Sequence, residues 1–324
     1  MGVASNMATF RSELIFAPQP DRPSCHASTI AELSNGDLLC AWYAGQREAA
    51  PDVAILAARL PAGGDSWTAP QVIVDTPNQP EGNPVLFQTP DGRLWLFYVT
   101  IEGRGWQDCP LKLRTSEDGG NTWSPERILR AEHGWMTRNK PLVLDNGDWV
   151  LPLYDERTWA SLFGISSDAS ASWQFTEPLP SQPGNIQPSV VQLGDGSLLA
   201  LMRTGGQGGY LWQSRSLDLG RTWEEPTPTE LPNPNAAADM VRLASGSLVL
   251  AFNNTRVGRT PLSVALSRDE GRTWPIIRDL ETGPGEYSYP ALIVASDGLV
   301  HLTYTYRRES IKHVAFDEAW LTER

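Results

Sequence analysis

The stretch that recurs along this chain is Ser116-Glu117-Asp118-Gly119-Gly120-Asn121-Thr122-Trp123, which follows a Ser-x-Asp-x-Gly-x-Thr-Trp pattern. Full copies begin at Ser216 and Ser267, a weaker copy begins at Ser166, and a degenerate one ends at Trp67. The tryptophans of these boxes, at positions 67, 123, 173, 223 and 274, are separated by 56, 50, 50 and 51 residues. A period of this size is typical of propellers and solenoids.

A second periodic signal consists of Asn-Gly, Asp-Gly or Ser-Gly dipeptides followed by apolar residues. Their glycines are Gly36, Gly92, Gly147, Gly196, Gly246 and Gly298. Such dipeptides indicate β-hairpins, because both central positions of the favoured turn require positive φ. Each of the six units reads strand, turn, strand, loop, strand, box, strand. The sequence therefore predicts an all-β protein in which residues 1–324 form one six-bladed β-propeller of four-stranded antiparallel blades.

The box is expected in the turn between the third and fourth strands of a blade. Its Asp can accept backbone N–H groups, its Gly can supply positive φ, and its Trp can be buried between neighbouring blades. The boxes are therefore interpreted as structural. The sixth unit has no box, and the segment from Ser12 to Ala17 is expected to supply its missing strand, which would remove an exposed sheet edge.

Composition excludes several classes of function. A net charge of −12 argues against a nucleic-acid partner, since phosphates require a basic surface. No apolar run is long enough to span a membrane. The chain start lacks the features of a secretory signal, so a cytoplasmic location is expected. Three scattered cysteines and four histidines without ligand spacing indicate neither a disulfide framework, nor a metal site, nor another cofactor.

Polar residues occupy the start of each innermost strand, which should ring the mouth of the central channel. Counting back seven to ten residues from each turn glycine gives His26, Asn83, Lys140, Gln187, Asp239 and Tyr289. A polar cluster converging on a propeller axis predicts a binding site for a small molecule or an oligosaccharide. The alternative interpretation is that these are ordinary solvated strand ends.

Two arginines, Arg203 and Arg259, lie where the second strand of a blade ends or the next loop begins. The planar guanidinium fork suits a carboxylate. The corresponding loops of the first and third blades carry Arg47, Glu48, Asp52, Asp155 and Glu156.

The boxes, the six-unit count and the axial residues resemble the sialidase (neuraminidase) superfamily, from about His26 to the C-terminus. The resemblance implies retaining exo-hydrolysis of sialosides. It further implies that three arginines bind the substrate carboxylate, that a Tyr/Glu pair forms the nucleophile, and that an Asp acts as the acid/base.

The resemblance extends to individual positions. Arg203 matches the second family arginine, and Arg259 matches the third. Asp52 falls within a couple of positions of the acid/base Asp. Tyr289 has the spacing of the nucleophilic tyrosine, and Tyr287 is its rival because it reproduces the local Tyr-Ser sequence.

Two departures from the family pattern concern the chemistry directly. His26 stands where the first arginine is expected, and Gln187, before Pro188, stands where the activating Glu is expected. Protonated His26 is expected to substitute in part for the arginine. An amide cannot take a proton from tyrosine, whose phenol is a weak nucleophile at its free pKa of about 10.

The sequence thus predicts a carbohydrate-active enzyme, an exo-acting sialidase-like glycoside hydrolase on an acidic sugar. Asn83, Lys140, Gln187, Asp239 and Arg47 are expected to contact that sugar. One alternative is a non-sialidase glycosidase, or a lyase acting at a uronate or rhamnose–uronate linkage. In the lyase, Arg203 and Arg259 would neutralise the carboxylate while His26 or Tyr289 removes the α-proton. Another alternative is a non-catalytic carbohydrate-binding propeller.

Overall fold

The computed structural model describes residues 8–168 and 172–323, whose regular structure is almost entirely β. Six antiparallel sheets form the six blades of a propeller. This confirms the predicted fold class. None of the helices in the described part is long and apolar enough to cross a bilayer.

The strands of the first three blades follow the N-terminal strand β1 (Phe10–Leu14). The first blade contains β2 (Ser24–Glu32), β3 (Leu38–Gly45), β4 (Ala54–Leu60) and β5 (Gln71–Val74). The second contains β6 (Glu81–Gln88), β7 (Leu94–Thr100), β8 (Leu111–Ser116) and β9 (Arg127–Arg130). The third contains β10 (Trp135–Met136), β11 (Leu142–Val143), β12 (Trp149–Asp155), β13 (Ala160–Ser166) and β14 (Gln174–Phe175).

The fourth, fifth and sixth blades come next, and a short helix follows the sixth. The fourth blade contains β15 (Asn185–Gln192), β16 (Leu198–Thr204), β17 (Gly209–Ser216) and β18 (Thr227–Asn233). The fifth contains β19 (Asp239–Arg242), β20 (Leu248–Phe252), β21 (Leu262–Ser267) and β22 (Ile276–Glu281). The sixth contains β23 (Tyr287–Val294), β24 (Val300–Tyr306) and β25 (Ser310–Phe316), and α1 (Glu318–Thr322) follows it.

The N-terminal strand completes the sixth blade. β1 pairs antiparallel with β25, from Phe10 opposite Phe316 to Leu14 opposite Lys312. The Glu13 carboxylate lies 3.1 Å from the indole N–H of Trp67. Closure by an N-terminal segment is confirmed, with the strand at 10–14 rather than 12–17, and the free edge of β25 is covered.

The turns between the first and second strands differ from the prediction in one respect. In the first blade, the amide of Gly36 donates to the Leu33 carbonyl at 2.8 Å, and the amide of Leu33 donates to the Asp37 carbonyl at 2.8 Å. Gly36 has φ +85, whereas Asn35 does not have positive φ. These hairpins are therefore type I turns followed by a left-handed glycine, and only the glycine requires positive φ.

The boxes lie between the third and fourth strands, as predicted. In the box that follows β8, Asp118 accepts the Ser116 hydroxyl at 2.7 Å and the Thr122 hydroxyl at 2.6 Å. The ring of Trp223, from the box of the fourth blade, stacks on Phe163 of the third blade at 4.0 Å. The box thus closes its own turn and joins neighbouring blades. The copy that begins at Ser166 includes residues 169–171, which lie outside the described residues.

A substitution within a box tests this structural role. The buried Ser216 hydroxyl donates to Asp218 at 2.9 Å and accepts the amide of buried Gly220 at 2.8 Å. Ser216→Ala leaves that amide without its partner, so we expect a loss of about 1–3 kcal/mol in the free energy of unfolding. Urea denaturation measures it. Leu217→Ala, at a side chain that is 79% exposed, is the control and should change stability by less than about 0.5 kcal/mol. Equal midpoints for the two variants would contradict the assignment.

Candidate active site

Four innermost strands carry a β-bulge where they enter the channel. The pairing register shifts in β2, β6, β15 and β23 at Ala27, Asn83, Gln187 and Tyr289. Each of these residues has positive φ, between +44 and +56. A bulge changes the direction of a side chain, and positive φ is uncommon for residues other than glycine. Three of these bulges present a polar side chain, that of Asn83, Gln187 or Tyr289, whereas the equivalent residue of the first blade is Ala27, one position after His26.

The centre of the site is formed by Tyr289, Gln187 and Arg203. One guanidinium nitrogen, Nη1 of Arg203, donates to the Tyr289 hydroxyl at 2.7 Å and to the Gln187 amide oxygen at 3.1 Å. Nε of the same arginine donates to Asn235 Oδ1 at 2.6 Å. Arg203 and Tyr289 are each 9% exposed, and Gln187 is 3% exposed. The arginine is therefore held in place and directed at the phenol.

The phenol of Tyr289 is made more acidic by its surroundings. Burial alone would raise its pKa, but the charges of Arg203 and Arg259 outweigh burial and lower it below the ordinary value of 10. The hydrogen bond with Gln187 acts in the same direction. A cation favours the charged form of a neighbouring acid. Arginines thus favour the phenolate although Gln187 cannot accept its proton.

Tyr154 connects two of the predicted ring residues. Its hydroxyl accepts the Asn83 amide at 2.8 Å and the Gln187 amide at 3.4 Å. Burial raises the pKa of Tyr154 well above its ordinary value, and Glu156 adds to this effect. Tyr154 therefore stays neutral and fixes both amide side chains.

His26 lies against Tyr289, in surroundings that disfavour its protonated form. Its ring centroid is 4.1 Å from that of Tyr289, and its Nδ1 bonds with the Thr305 hydroxyl at 2.8 Å. Burial lowers the pKa of His26 well below 6.5, and the surrounding charges, led by that of Arg308, lower it further. These effects oppose the expectation that protonated His26 substitutes for an arginine, because the site already holds several guanidinium groups.

A chain of alternating charges crosses the mouth. Arg259 lies 3.4 Å from the carboxylate of Glu286, which also accepts Nε of Arg308 at 2.9 Å. Nη1 of Arg308 in turn donates to Glu48 at 2.6 Å. Arg308 thus brings a third guanidinium to the mouth beside Arg203 and Arg259.

Arg308 was not among the residues predicted from the sequence. The rule that selected Arg203 and Arg259, a loop after the second strand of a blade, leads in the sixth blade to the turn between β24 and β25. That turn contains Arg307 and Arg308. The signal was present, but the sixth blade has no box to fix its frame.

The loop of the first blade presents Glu48 to the site rather than Asp52. The Glu48 side chain is 37% exposed and reaches Arg308. The Asp52 carboxylate instead accepts the amide of Gln46 at 2.9 Å within its own exposed loop. Arg47 is exposed in the same loop. Of Arg47, Glu48 and Asp52, only Glu48 joins the charge chain.

Three other predicted residues lie apart from the cluster. Lys140 Nζ pairs with Asp239 at 2.8 Å, and the Asp239 carboxylate also accepts the Ser189 hydroxyl and the Leu292 amide, each at 2.7 Å. This pair braces the inner strands, and the structure does not bring it to Tyr289. The hydroxyl of Tyr287 accepts Nε of Arg307 at 3.2 Å. Tyr287 is thereby directed away from Arg203.

Partly buried tryptophans flank the cluster. The Trp159 ring centroid is 5.7 Å from the Arg203 guanidinium carbon, and the Trp106 ring lies 6.3 Å from that of Tyr43. Aromatic faces with a few directed polar groups are typical of small-molecule sites. Within the two described ranges, no group of three or more His, Cys, Asp or Glu side chains is arranged to hold a metal ion.

Comparison with known proteins identifies one family and two similar sialidases. The family described as BNR repeat-like domain matches residues 36–302. A sialidase of Micromonospora viridifaciens is 25% identical over 343 residues, covering 92% of this chain and 52% of that protein. A sialidase of Bacteroides fragilis (strain YCH46) is 23% identical over 303 residues, covering 82% and 51%. The chain spans about half the length of these two relatives.

Solved structures share the fold. The Hadza microbial sialidase Hz136 superimposes with a TM-score of 0.79 at 20% identity, covering 93% of this chain and 67% of that one. The intramolecular trans-sialidase from Ruminococcus gnavus, in complex with oseltamivir carboxylate, gives 0.77 at 17% identity, with 96% and 98% covered. A protein of unknown function from Dyadobacter fermentans DSM 18053 gives 0.81 at 17% identity, with 95% and 99% covered.

Proposed function

This chain belongs to the BNR repeat-like domain family, and from that premise we propose that it is a carbohydrate-active enzyme that removes a terminal acidic sugar from a glycoside. The relatives named sialidases support the class of substrate. The observation that carries the proposal is the 2.7 Å hydrogen bond between Arg203 and the acidified phenol of Tyr289.

Binding of the sugar is assigned to the guanidinium groups. Arg259 presents its planar fork to the carboxylate, and Arg203 donates from Nη2, because its Nη1 and Nε already bond with Tyr289, Gln187 and Asn235. Arg259 remains 23% exposed despite its contact with Glu286, so it is accessible to a ligand. The trans-sialidase structure from Ruminococcus gnavus contains oseltamivir carboxylate, which supports a carboxylate-bearing ligand for this fold.

Bond cleavage is assigned to Tyr289 and Glu48. The Tyr289 phenolate attacks the anomeric carbon, the bond from that carbon to the leaving oxygen breaks, and Glu48 gives its proton to that oxygen. Water then attacks the glycosyl–tyrosine bond, Glu48 takes the proton from the water, and the phenolate is restored. Two displacements retain the anomeric configuration. Because Gln187 cannot take the phenol proton, this route requires Tyr289 to be ionised before substrate is cleaved.

Hydrolysis is tested with a fluorogenic sialoside, assayed from about pH 5 to about pH 9, a range between the ordinary pKa values of a carboxyl group and a phenol. We expect release of the fluorophore with a rate that rises toward alkaline pH as Tyr289 ionises, because an aryl leaving group departs without the proton that Glu48 gives to a natural glycoside. A parallel panel of fluorogenic uronides tests whether the acidic sugar is a uronate. No release from either class at high enzyme concentration would refute hydrolysis.

Elimination is a second candidate, favoured by the neutral His26 beside Tyr289. With Nδ1 bonded to Thr305, the other ring nitrogen is left for substrate, and neutral imidazole is a base. Either group would take the α-proton of a uronate while the bond to the β-oxygen breaks and a carbon–carbon double bond forms. Ultraviolet absorbance of the conjugated product, measured on uronate-containing glycans, identifies it. Binding of such glycans without either product would instead support a non-catalytic lectin-like role.

A further inference from the structure

The innermost strand of the third blade is broken, and the break lies at the propeller axis. Residues 137–141 form no strand between β10 and β11. Even so, Thr137, Arg138 and Asn139 are no more than 3% exposed. A buried stretch outside a sheet must place its polar groups on other partners, because unpaired polar groups are costly.

Asn139 contacts the bulge that presents Gln187. Its amide nitrogen lies 3.2 Å from the Gln187 carbonyl and 3.1 Å from each of the Pro188 and Ala238 carbonyls. One side chain thus joins the inner strands of the fourth and fifth blades.

Arg138 contacts the bulge that presents Tyr289, on the far side of the channel. Its Nη2 donates to the Tyr289 carbonyl at 2.7 Å and to the Pro290 carbonyl at 3.3 Å. Tyr289 and Gln187 have φ +55 and +56, a backbone region that bulky side chains seldom occupy. Two consecutive residues therefore hold the carbonyls of the two strained positions at the centre of the site.

The charge of Arg138 has no carboxylate partner. No salt bridge involves it among the described residues, and its Nε and Nη1 are buried without a hydrogen-bond partner there. Burial lowers its pKa, while Asp239 and the phenols of Tyr289, Tyr154 and Tyr43 act in the opposite direction. Asp239 is already paired with Lys140.

A buried charge of this kind is expensive, and an apolar side chain of similar length would pack at lower cost. Its guanidinium carbon lies 5.2 Å from the Tyr289 ring centroid. The other charged or titratable groups facing that ring are Arg203, Arg259, Glu48 and His26. Tyr154 and Tyr43 are held neutral by burial, so Tyr289 is the phenol that a nearby cation can ionise.

We propose that Arg138 and Asn139 are positioning residues that fix Tyr289 and Gln187 from across the channel, with the unpaired charge of Arg138 favouring the Tyr289 phenolate. This inference rests on the proposed role of Tyr289 as the reacting group. Neither residue is assigned a contact with substrate, because the side chains bond with the carbonyls of the bulges.

The test is the ultraviolet titration of Tyr289, obtained as the difference between each protein and the same protein carrying Tyr289→Phe. In the otherwise unchanged protein, we expect Tyr289 to ionise with a pKa below about 10. Arg138→Met should raise the pKa of Tyr289 by about one unit or more. It should also lower kcat about tenfold or more, with a smaller change in KM. Arg138→Lys, which keeps the charge, should restore most of the titration shift.

Controls separate this role from simple packing and from the proposed function. Lys112→Met removes a buried cation that pairs with Glu102 and Glu126, and should leave the Tyr289 titration unchanged. If Arg138→Met does not fold, Arg138→Gln is the second uncharged variant. A Tyr289 titration that is unaffected by either variant, even with a lower melting temperature, would overturn the inference alone. Ordinary ionisation of Tyr289 in the unchanged protein would overturn the proposed function as well.

Discussion

Tyr289→Phe is expected to lower kcat/KM for the sugar by about a thousandfold or more, because the variant has no oxygen to attack the anomeric carbon. The ring and its contacts with His26 and Arg138 remain, so binding of the sugar should persist. Rates with a fluorogenic glycoside and binding by calorimetry measure the two effects separately.

Tyr287→Phe is the matched control. Tyr287 is 1% exposed and lies two residues away, and its hydroxyl bonds with the Pro284 carbonyl and with Arg307. We expect its removal to change kcat/KM by only a few-fold. If Tyr287→Phe abolished turnover while Tyr289→Phe did not, the assignment of the nucleophile would have to be reversed.

The second large effect concerns Arg203. Arg203→Met removes the cation nearest the Tyr289 hydroxyl, so the pKa of that phenol, which is lowered in the unchanged protein, should rise. The phenolate then forms at higher pH, and the rising limb of kcat/KM against pH moves upward. At neutral pH, the loss of carboxylate binding adds to the loss of phenolate, and we expect kcat/KM to fall about a hundredfold or more.

Arg203→Lys distinguishes charge from geometry. A lysine keeps the cation but not the fork that now reaches Asn235, Gln187 and Tyr289 together. Its pH profile should stay near that of the unchanged protein while KM rises. A methionine variant whose pH profile did not move would show that Arg203 does not control ionisation of Tyr289.

The repeat made most of the fold predictable. Box and turn signals fixed a frame of about 50 residues, and that frame located the strand entries without any tertiary information. The turn type was harder to predict from the sequence, because Asn35-Gly36 is compatible with two hairpin geometries. The hydrogen bonds of the Leu33 amide and carbonyl distinguish them.

The same frame located Tyr289, Gln187 and Arg203, because equivalent bulges repeat where the inner strands begin. It failed in the third blade, where the strand breaks. There the count selected Lys140, whereas Arg138 and Asn139 reach the axis. A contact between residues 138 and 289 joins opposite sides of a ring, and no local pattern of polar and apolar residues encodes it.

The function is less predictable than the fold for a physical reason. Gln187 removes a proton acceptor from beside the phenol, and the charges that lower the pKa of Tyr289 come from Arg203 and Arg259 in two different blades. Whether an amide at this position abolishes chemistry or only changes its pH range depends on those charges. The pH dependence of turnover is therefore the most direct measure of what this site does.

The pairing of β1 with β25 has a consequence for biosynthesis. Residues 10 to 14 emerge from the ribosome some 300 residues before their partners at 312 to 316. Until then, the ring cannot close, and both strand edges remain open to intermolecular pairing. Ring closure should thus be a late step in folding. A circular permutant that joins β1 directly to β25 would make this contact local and should refold faster.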